Sequence, residues 1–361
     1  MTFLNTEILI LKAYQGDCIL IKTFDENEDC FNILIDGGTP NTFDFSLRNE
    51  LKDIAIIDLL VLTHIDSDHI GGVIKFLKNS LANGIEIRKY WVNCLNLIEV
   101  GFSSGKISYG QAKSLEELLL EKKEPLSKFN EAIFFSSQIR QDRGITITVL
   151  SPTSEIIDSL KKGWPELSEE YQKKLKEVKI SGTVLSQVSK GSLRDLAKED
   201  FRHQKTIEND IVNSSCIAML IKGIDFSFLA LGDSRAEVVE QSLRKLEYND
   251  TDNKLKVDYV KISHHGSKNN TSASLLDLIE SEKFIISTNG GGAATRHPDR
   301  ETIARILFHP KRDFTKKVTI IFNYPLSNIA SKSGELFTED EMEDGNWCIQ
   351  QDITNLELND A

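Results

Sequence analysis

Apolar residues along this chain fall into short runs separated by turns or by amphipathic stretches. Glu7 to Lys12 and Cys18 to Phe24 predict two strands joined by Ala13-Tyr14-Gln15-Gly16-Asp17, a hairpin with glycine at its turn. A third run, Phe31 to Ile35, ends in Asp36-Gly37-Gly38. Phe43 to Ala55 predicts a helix leading into Ile56 to Leu62, whose β-branched content marks a buried strand. Val73 to Leu81 predicts the next helix, and a strand follows around Lys89 to Cys94. Residues 101–142 read as mostly helical, with Ser114 to Lys123 amphipathic, and Gly144 to Leu150 alternates as a strand. Residues 153–208 break this rhythm. They are charge-rich, with helical stretches at Ser168 to Val178 and Ser192 to Arg202, and they predict an inserted helical subdomain. Strands then return at Ser215 to Ile221, Phe226 to Leu231, Val257 to Ile262, Phe284 to Ser287 and Lys317 to Phe322. Helices at Ala236 to Leu246, Ser272 to Ser281 and Asp299 to Leu307 alternate with them. Acidic residues dominate after Ala330, so 331–361 is expected to form an acidic C-terminal tail with little order, apart from a strand-like Trp347-Cys348-Ile349.

The ends of the predicted strands carry the chemistry. Ile56 to Leu62 runs into Thr63-His64-Ile65-Asp66-Ser67-Asp68-His69, which crowds two imidazoles and two carboxylates into one short stretch. Such a cluster resists burial unless a cation balances it, and its mixture of nitrogen and oxygen donors without thiolate suits a hydrolytic rather than a structural metal site. The stretch reads as a loop at the carboxyl end of a strand, where open α/β folds hold their chemistry. Later strand ends repeat the pattern with Asp233, with His264 and His265, and with His297.

Composition narrows the reading. Among 361 residues, 40% are hydrophobic and 27% charged, as in a soluble globular chain. A net charge of -12 argues against a broad basic face but leaves room for a nucleic-acid substrate, because bound divalent cations change the local field. The five cysteines, Cys18, Cys30, Cys94, Cys216 and Cys348, are scattered without CxxC spacing, which predicts neither a disulfide framework nor a zinc ribbon. Cys18 and Cys216 read as small core residues. No basic, apolar leader opens the chain, and a reducing, cytoplasmic location is expected.

Taken together, His64-x-Asp66-x-Asp68-His69, Asp233 after glycine, and His264-His265-Gly266-Ser267 resemble the metallo-β-lactamase superfamily. Within it the chain looks like the branch typified by the hydrolase domain of the competence protein ComEC. Gln15-Gly16-Asp17, Asp36-Gly37, Asn213-Ser214-Ser215, Asn289 and His297-Pro298 match as well. The resemblance spans residues 7–323 outside the insertion and implies a four-layer αββα sandwich of α/β (α+β) class. Residues 1–330 would form the hydrolase domain, interrupted by the helical insertion 153–208. It also implies two divalent metal ions, zinc or manganese or else magnesium. His64 and Asp66 would hold the first, Asp68 and His69 the second, and Asp233 would bridge them.

The chain departs from the common pattern at Asp66, where most of the superfamily has His. It also lacks the usual His before the bridging Asp, offering Asn213 and Ser214 instead. By order along the strands His264 is expected to close the second site, with His297 as competitor. Whichever of the two is not a ligand would contact the scissile phosphate or protonate the leaving group, and His265 and His297 are both expected to be catalytic. Asp68 would also orient the nucleophile. Lys261 and Arg296 would meet substrate phosphate, while Asp36, Asn213, Ser214, Ser267 and Asn289 would support metal or substrate. The implied activity is phosphodiester hydrolysis in DNA, RNA or a nucleotide. Ester, lactone or thioester hydrolysis is the alternative, as is a regulatory subunit acting through its insertion. A protein partner is expected on 153–208 or the tail, in the setting of a prokaryotic defence or DNA-processing effector, and no membrane association is expected.

Overall fold

The computed structural model describes residues 5–93, 132–136, 138–162, 189–291 and 296–358, with a few positions between 115 and 129. Their architecture is two sheets packed face to face between two helical layers. The first sheet has six strands in the order Asn355–Leu356, Glu7–Ile10, Ile19–Phe24, Cys30–Ile35, Leu59–Leu62 and Tyr90–Val92. The hairpin strands pair antiparallel, whereas Cys30–Ile35, Leu59–Leu62 and Tyr90–Val92 run parallel. The second sheet has eight strands, ordered Trp347–Gln350, Val318–Phe322, Lys283–Ile286, Tyr259–Lys261, Ser227–Ala230, Ala218–Lys222, Ile145–Ser151 and Arg140–Asp142.

Alternation along the strands explains the layers, because successive side chains face opposite ways. Ile8, Ile10, Ile19, Ile21, Ile33 and Ile35 meet Ile147, Val149, Met219, Phe228 and Tyr259 in the inter-sheet core. The intervening Leu9, Leu20, Leu34, Leu60 and Leu62 face outward under the helix Ser67–Lys78, with Ile70, Val73 and Leu77. Leu220, Leu229, Val260 and Ile320 do the same under the helices Ala236–Lys245 and Arg300–Leu307. Each fully buried aliphatic side chain contributes about 1.5–3 kcal/mol against exposure, so register is strongly specified on both faces of both sheets. This is the αββα sandwich of α/β class that the sequence resemblance implied.

At one end the sheets are stitched together. Ile217 donates its backbone N–H to Thr63 O at 2.9 Å, and Asn289 donates to Tyr14 O at 2.8 Å. Ser287 Oγ reaches Gly16 O at 3.2 Å, and Asn323 Nδ2 reaches Leu11 O at 2.9 Å. The functional strand ends converge along this seam.

Several local expectations change. The helix after the His64 loop begins at Ser67, so Asp68 and His69 occupy its first turn rather than a loop. Two glycines permit this early start: a Cβ on Gly72 would lie 1.9 Å from Gly37 O, and one on Gly37 would lie 2.3 Å from Val73 N. Residues 331–361 do not stand apart as a tail. Trp347–Gln350 extends the second sheet in parallel with Val318–Phe322, and Leu356 pairs with Ile8 at the edge of the first. Trp347 and Leu356 are buried there, so apolar burial outweighs the acidic composition. The acidic residues cap and pair instead: Thr338 and Glu341 form a capping box, and Arg300 reaches Glu341 at 2.5 Å. Within 153–208, a helix covering 154–162 places Ile156 and Leu160 in the first outer core, and Leu193–Leu196 packs on the second. Residues 163–188, with the stretch at Ser168 to Val178, lie outside the described residues, as does most of 94–131 with the stretch at Ser114 to Lys123. No described helix is long and apolar enough to cross a membrane.

Candidate metal centre

The site lies where the carboxyl ends of Leu59–Leu62, Ser227–Ala230, Tyr259–Lys261 and Lys283–Ile286 meet the first hairpin turn. Asp233 is its hub. The Nε2 atoms of His64, His69 and His264 lie 3.8, 3.4 and 3.8 Å from Asp233 Oδ2, and His265 Nε2 lies 3.6 Å from Oδ1. Asp66 Oδ2 stands 3.6 Å from His64 Nε2. Although Asp66 is the N-cap of the helix, its side chain makes no capping hydrogen bond and stays free for this role.

The far side of each ring decides which nitrogen faces the hub. Asp36, fully buried, accepts from Thr63 N at 2.8 Å, from Thr63 Oγ1 at 2.7 Å and from His69 Nδ1 at 2.8 Å. The Thr63 hydroxyl has given its proton to Asp36, so its oxygen accepts from His64 Nδ1 at 3.1 Å. His265 Nδ1 donates to Ser287 O at 2.9 Å. Three imidazoles thus carry their proton on Nδ1 and turn an Nε2 lone pair inward, as metal-bound histidines do. Those three Nε2 atoms, together with Asp233 Oδ1 and Asp17 Oδ1, are buried without any hydrogen-bond partner. Orphaned polar atoms are costly and rarely left in a fold without a purpose. A divalent cation fits this donor set of imidazole nitrogens and carboxylate oxygens.

Electrostatics agree with the geometry. Burial alone would raise the Asp233 carboxyl, but His264, His265 and His69 hold it well below the usual carboxylate range. Burial, reinforced by Lys261 and His69 and only partly offset by Asp233, pulls His265 down to about 3, so its ring is neutral. Burial opposes charge on His69 and His64 too, yet neighbouring groups, Asp233 and Asp36 for His69, raise both well above the ordinary imidazole range. Without a cation each ring therefore also holds a proton on the inward Nε2, which a bound cation would displace. The backbone is also strained here: His264 and His265 sit at φ 49° and 54°, the left-handed region. For residues other than glycine that costs about 1–3 kcal/mol each and clusters at functional sites.

Residues 11–148 match the family model described as the metallo-beta-lactamase superfamily. That stretch contains Asp17, Asp36, His64, Asp66, Asp68 and His69, while Asp233 and His265 lie beyond it. Among solved structures, the metallo-beta-lactamase fold protein YhfI from Bacillus subtilis is 11% identical, with 97% of this chain and 98% of that one covered at a TM-score of 0.40. Tm1679, a metal-dependent hydrolase of the beta-lactamase superfamily, is 9% identical over 99% of this chain and 100% of that one, at 0.40. A long form RNase Z from yeast is 15% identical over 98% of this chain and 42% of that one, at 0.39. A comparison with curated proteins gave no match.

Within this site, some residues stand where sequence reasoning did not put them. We expected His264 at the second metal, with His297 as its competitor. The structure brings in His265 as well: it is braced by Ser287 and groups with Asp17, His69 and Asp233, their ligand atoms all within 4.8 Å of one another, while His264 Nε2 also lies 3.8 Å from Asp233 Oδ2. The Nδ1 of His264 has no such brace, and its ring lies 5.3 Å from the His297 ring at the more open side. His297 Nδ1 is backed by Asp299 Oδ2 at 3.3 Å. Lys261 cannot meet a substrate phosphate, because it is fully buried in the inter-sheet layer, ion-paired with Asp17 and hydrogen-bonded to Gly232 O at 3.2 Å. It shares its strand face with Tyr259, in the middle of the sheet.

Arg296 is likewise engaged, donating to Lys332 O at 2.7 Å. Ser214 Oγ bonds Ile207 O, and Asn213 bonds Asp210, with its Oδ1 unpartnered. Asn289 Oδ1 accepts from Gly291 N, and Ser267 is buried in its own turn. Asp68 has its Cβ against the Gly16 turn, where a glycine Cβ would fall 1.7 Å from Asp68 O. Sequence reasoning missed Asp17 as a site residue, and it missed Thr63 and Ser287 as braces. For Asp17 the available signal was its place directly after the hairpin glycine.

Proposed function

We propose that the protein is a metal-dependent phosphodiester hydrolase with two divalent cations, acting on DNA, RNA or a nucleotide. The observation that carries this reading is the convergence of buried, unpartnered Nε2 atoms of His64, His69 and His265 on the carboxylate of Asp233. His64 and Asp66 would hold one cation, and His69, Asp68 and His265 the other, with Asp233 shared between them. Cations bound there supply Lewis acidity toward water and toward phosphoryl oxygens. They also provide the positive field that a chain of net charge -12 otherwise lacks for an anionic substrate.

The remaining chemistry falls to the chain. Asp36, through Thr63 and His69, keeps two imidazoles in the ligating tautomer. His264 and His297, at the open side and only part-buried, face the leaving group, with Asp299 orienting His297. Burial lowers His264 below the ordinary imidazole range, which leaves its ring neutral at neutral pH. Carboxylate-rich donors favour manganese or magnesium alongside zinc.

The test is direct. Protein stripped with chelator and reloaded with Mn²⁺, Mg²⁺ or Zn²⁺ is incubated with single- and double-stranded DNA, RNA and an aryl phosphodiester. Cleavage that appears with metal and is lost in His69→Ala supports the reading. Absence of cleavage under every metal, or cleavage unchanged in His69→Ala, sinks it.

A further inference from the structure

Asp17 comes from the first hairpin turn, far in sequence from the loop that supplies most of the ligands, and its side chain is 2% exposed. Its two oxygens have different fates. Oδ2 pairs with the Lys261 ammonium, 244 residues away in sequence. Oδ1 has no hydrogen-bond partner, although it lies 3.6 Å from His265 Nδ1, which already donates to Ser287 O. The ligand atoms of Asp17, His69, Asp233 and His265 all lie within 4.8 Å of one another, and each of the four side chains has one buried, unpartnered atom. Two imidazoles and two carboxylates from four separate segments thus come together, and each keeps an orphaned buried atom.

We propose that Asp17 is a ligand of the second metal position, and that Lys261 is the buried counter-ion that aims it. This rests on the two-cation reading above. A buried Lys–Asp pair is a poor stabiliser by itself, since desolvating both charges costs several kcal/mol per ion and apolar replacements are often no worse. Were Asp17 present only to neutralise Lys261, nothing would require an oxygen to be left bare toward His69 and Asp233. Lys261 is anchored twice, by Asp17 Oδ2 and by Gly232 O at 3.2 Å, so the carboxylate plane is fixed and Oδ1 is directed at the cluster. Asp17 and Asp233 bring two negative charges and Lys261 returns one. The position therefore takes up a dication without the full repulsion of two adjacent unpaired carboxylates.

A double-variant comparison on the full chain separates ligand from counter-ion. Metal-stripped wild type, Asp17→Asn, Lys261→Met and the Asp17→Asn/Lys261→Met pair are titrated with Mn²⁺ by calorimetry, with bound metal counted by elemental analysis. Asp17→Asn is expected to weaken one of the two Mn²⁺ sites by at least about 10–100-fold and to leave the other unchanged. Lys261→Met leaves Asp17 without its counter-charge and is expected to tighten that same site while destabilising the metal-free fold. The double variant removes the buried charge pair and regains thermal stability, but its second site stays weak. Wild-type Mn²⁺ affinity in the double variant would show that Asp17 serves Lys261 alone, and would overturn the proposal. The readout is independent of substrate: two bound Mn²⁺ without phosphodiester cleavage refutes the proposed activity and leaves this ligand assignment standing.

Discussion

Asp36→Asn is the most informative single change, because one carboxylate sets the proton positions of two imidazoles. Asp36 Oδ2 accepts from both Thr63 Oγ1 and His69 Nδ1, and Oδ1 accepts from Thr63 N. Asparagine retains one acceptor, which Thr63 N keeps, and presents an NH₂ where Oδ2 was. His69 Nδ1 must then accept rather than donate, which moves its proton to Nε2. The Thr63 hydroxyl must also accept from the amide, so its own proton turns to His64 Nδ1 and drives that ring to the Nε2–H tautomer. Both inward lone pairs are lost. A bracing contact of this kind is worth roughly 10–100-fold in metal affinity, so two together predict a fall of about 100- to 10,000-fold, or ~2.7–5.5 kcal/mol.

Backbone strain does not confuse the comparison, since Asp36 lies at φ 57°, which asparagine tolerates. The metal-free fold loses roughly 1–3 kcal/mol from the exchanged hydrogen bonds. Calorimetric Mn²⁺ titration gives the affinity, and long-range ¹⁵N–¹H correlation of the imidazole nitrogens reports each tautomer. Affinity within about threefold of wild type, with His64 and His69 still protonated on Nδ1, would refute the relay.

Three further outcomes are expected. Gly72→Ala forces a Cβ to within 1.9 Å of Gly37 O, so it costs roughly 1–3 kcal/mol of stability and lowers metal affinity by shifting the first turn of the helix; denaturant unfolding and metal titration measure the two effects. Trp347→Ala costs about 3–5 kcal/mol in the same unfolding assay if the C-terminal strand belongs to the core, and almost nothing if it is a loose tail. Tyr324 is buried and its hydroxyl accepts from Tyr14 N at 2.8 Å. Burial pushes its phenol up to about 12 from an unfolded value near 10. A raised folded value means the contribution is intact below pH ~10 and is lost as pH climbs toward ~12, worth about 2.7 kcal/mol in all. Tyr324→Phe should flatten stability against pH across that window, and an unchanged slope would contradict the assignment.

The loop from His64 to His69 was legible because four candidate ligands, two imidazoles and two carboxylates, in so short a stretch have no comfortable apolar explanation. Asp233 and the paired histidines were legible as polar interruptions at the ends of apolar strands. Which of His264 and His265 turns inward was not, since both follow the same strand. Consecutive left-handed backbone angles and the Ser287 carbonyl decide it, and neither leaves a local pattern. Lys261 misled for a related reason. Alternation places it on one face of its strand, but only the position of that strand within an eight-stranded sheet makes the face a buried one. Asp17 reads as an ordinary turn residue until the fold supplies a partner 244 positions away. The C-terminal region was judged by charge, whereas Trp347 and Leu356 dock it through a small number of large contacts.

The seam at which Thr63 meets Ile217 and Tyr14 meets Asn289 gives the centre a mechanical side. The donors around it belong to both sheets: Asp17, His64 and His69 come from the first, Asp233 and His265 from the second. A cation held between them would be a clasp across the sandwich, at the end where the described residues make these cross-sheet hydrogen bonds. Removing the ion unfastens that end first. The backbone amides of Ile217 and Asn289, which donate across the seam, should then exchange with solvent deuterium sooner than amides deep in either sheet, such as Leu20 or Leu229. On refilling they should slow again, so two amide protons would report the state of the clasp without any substrate being turned over.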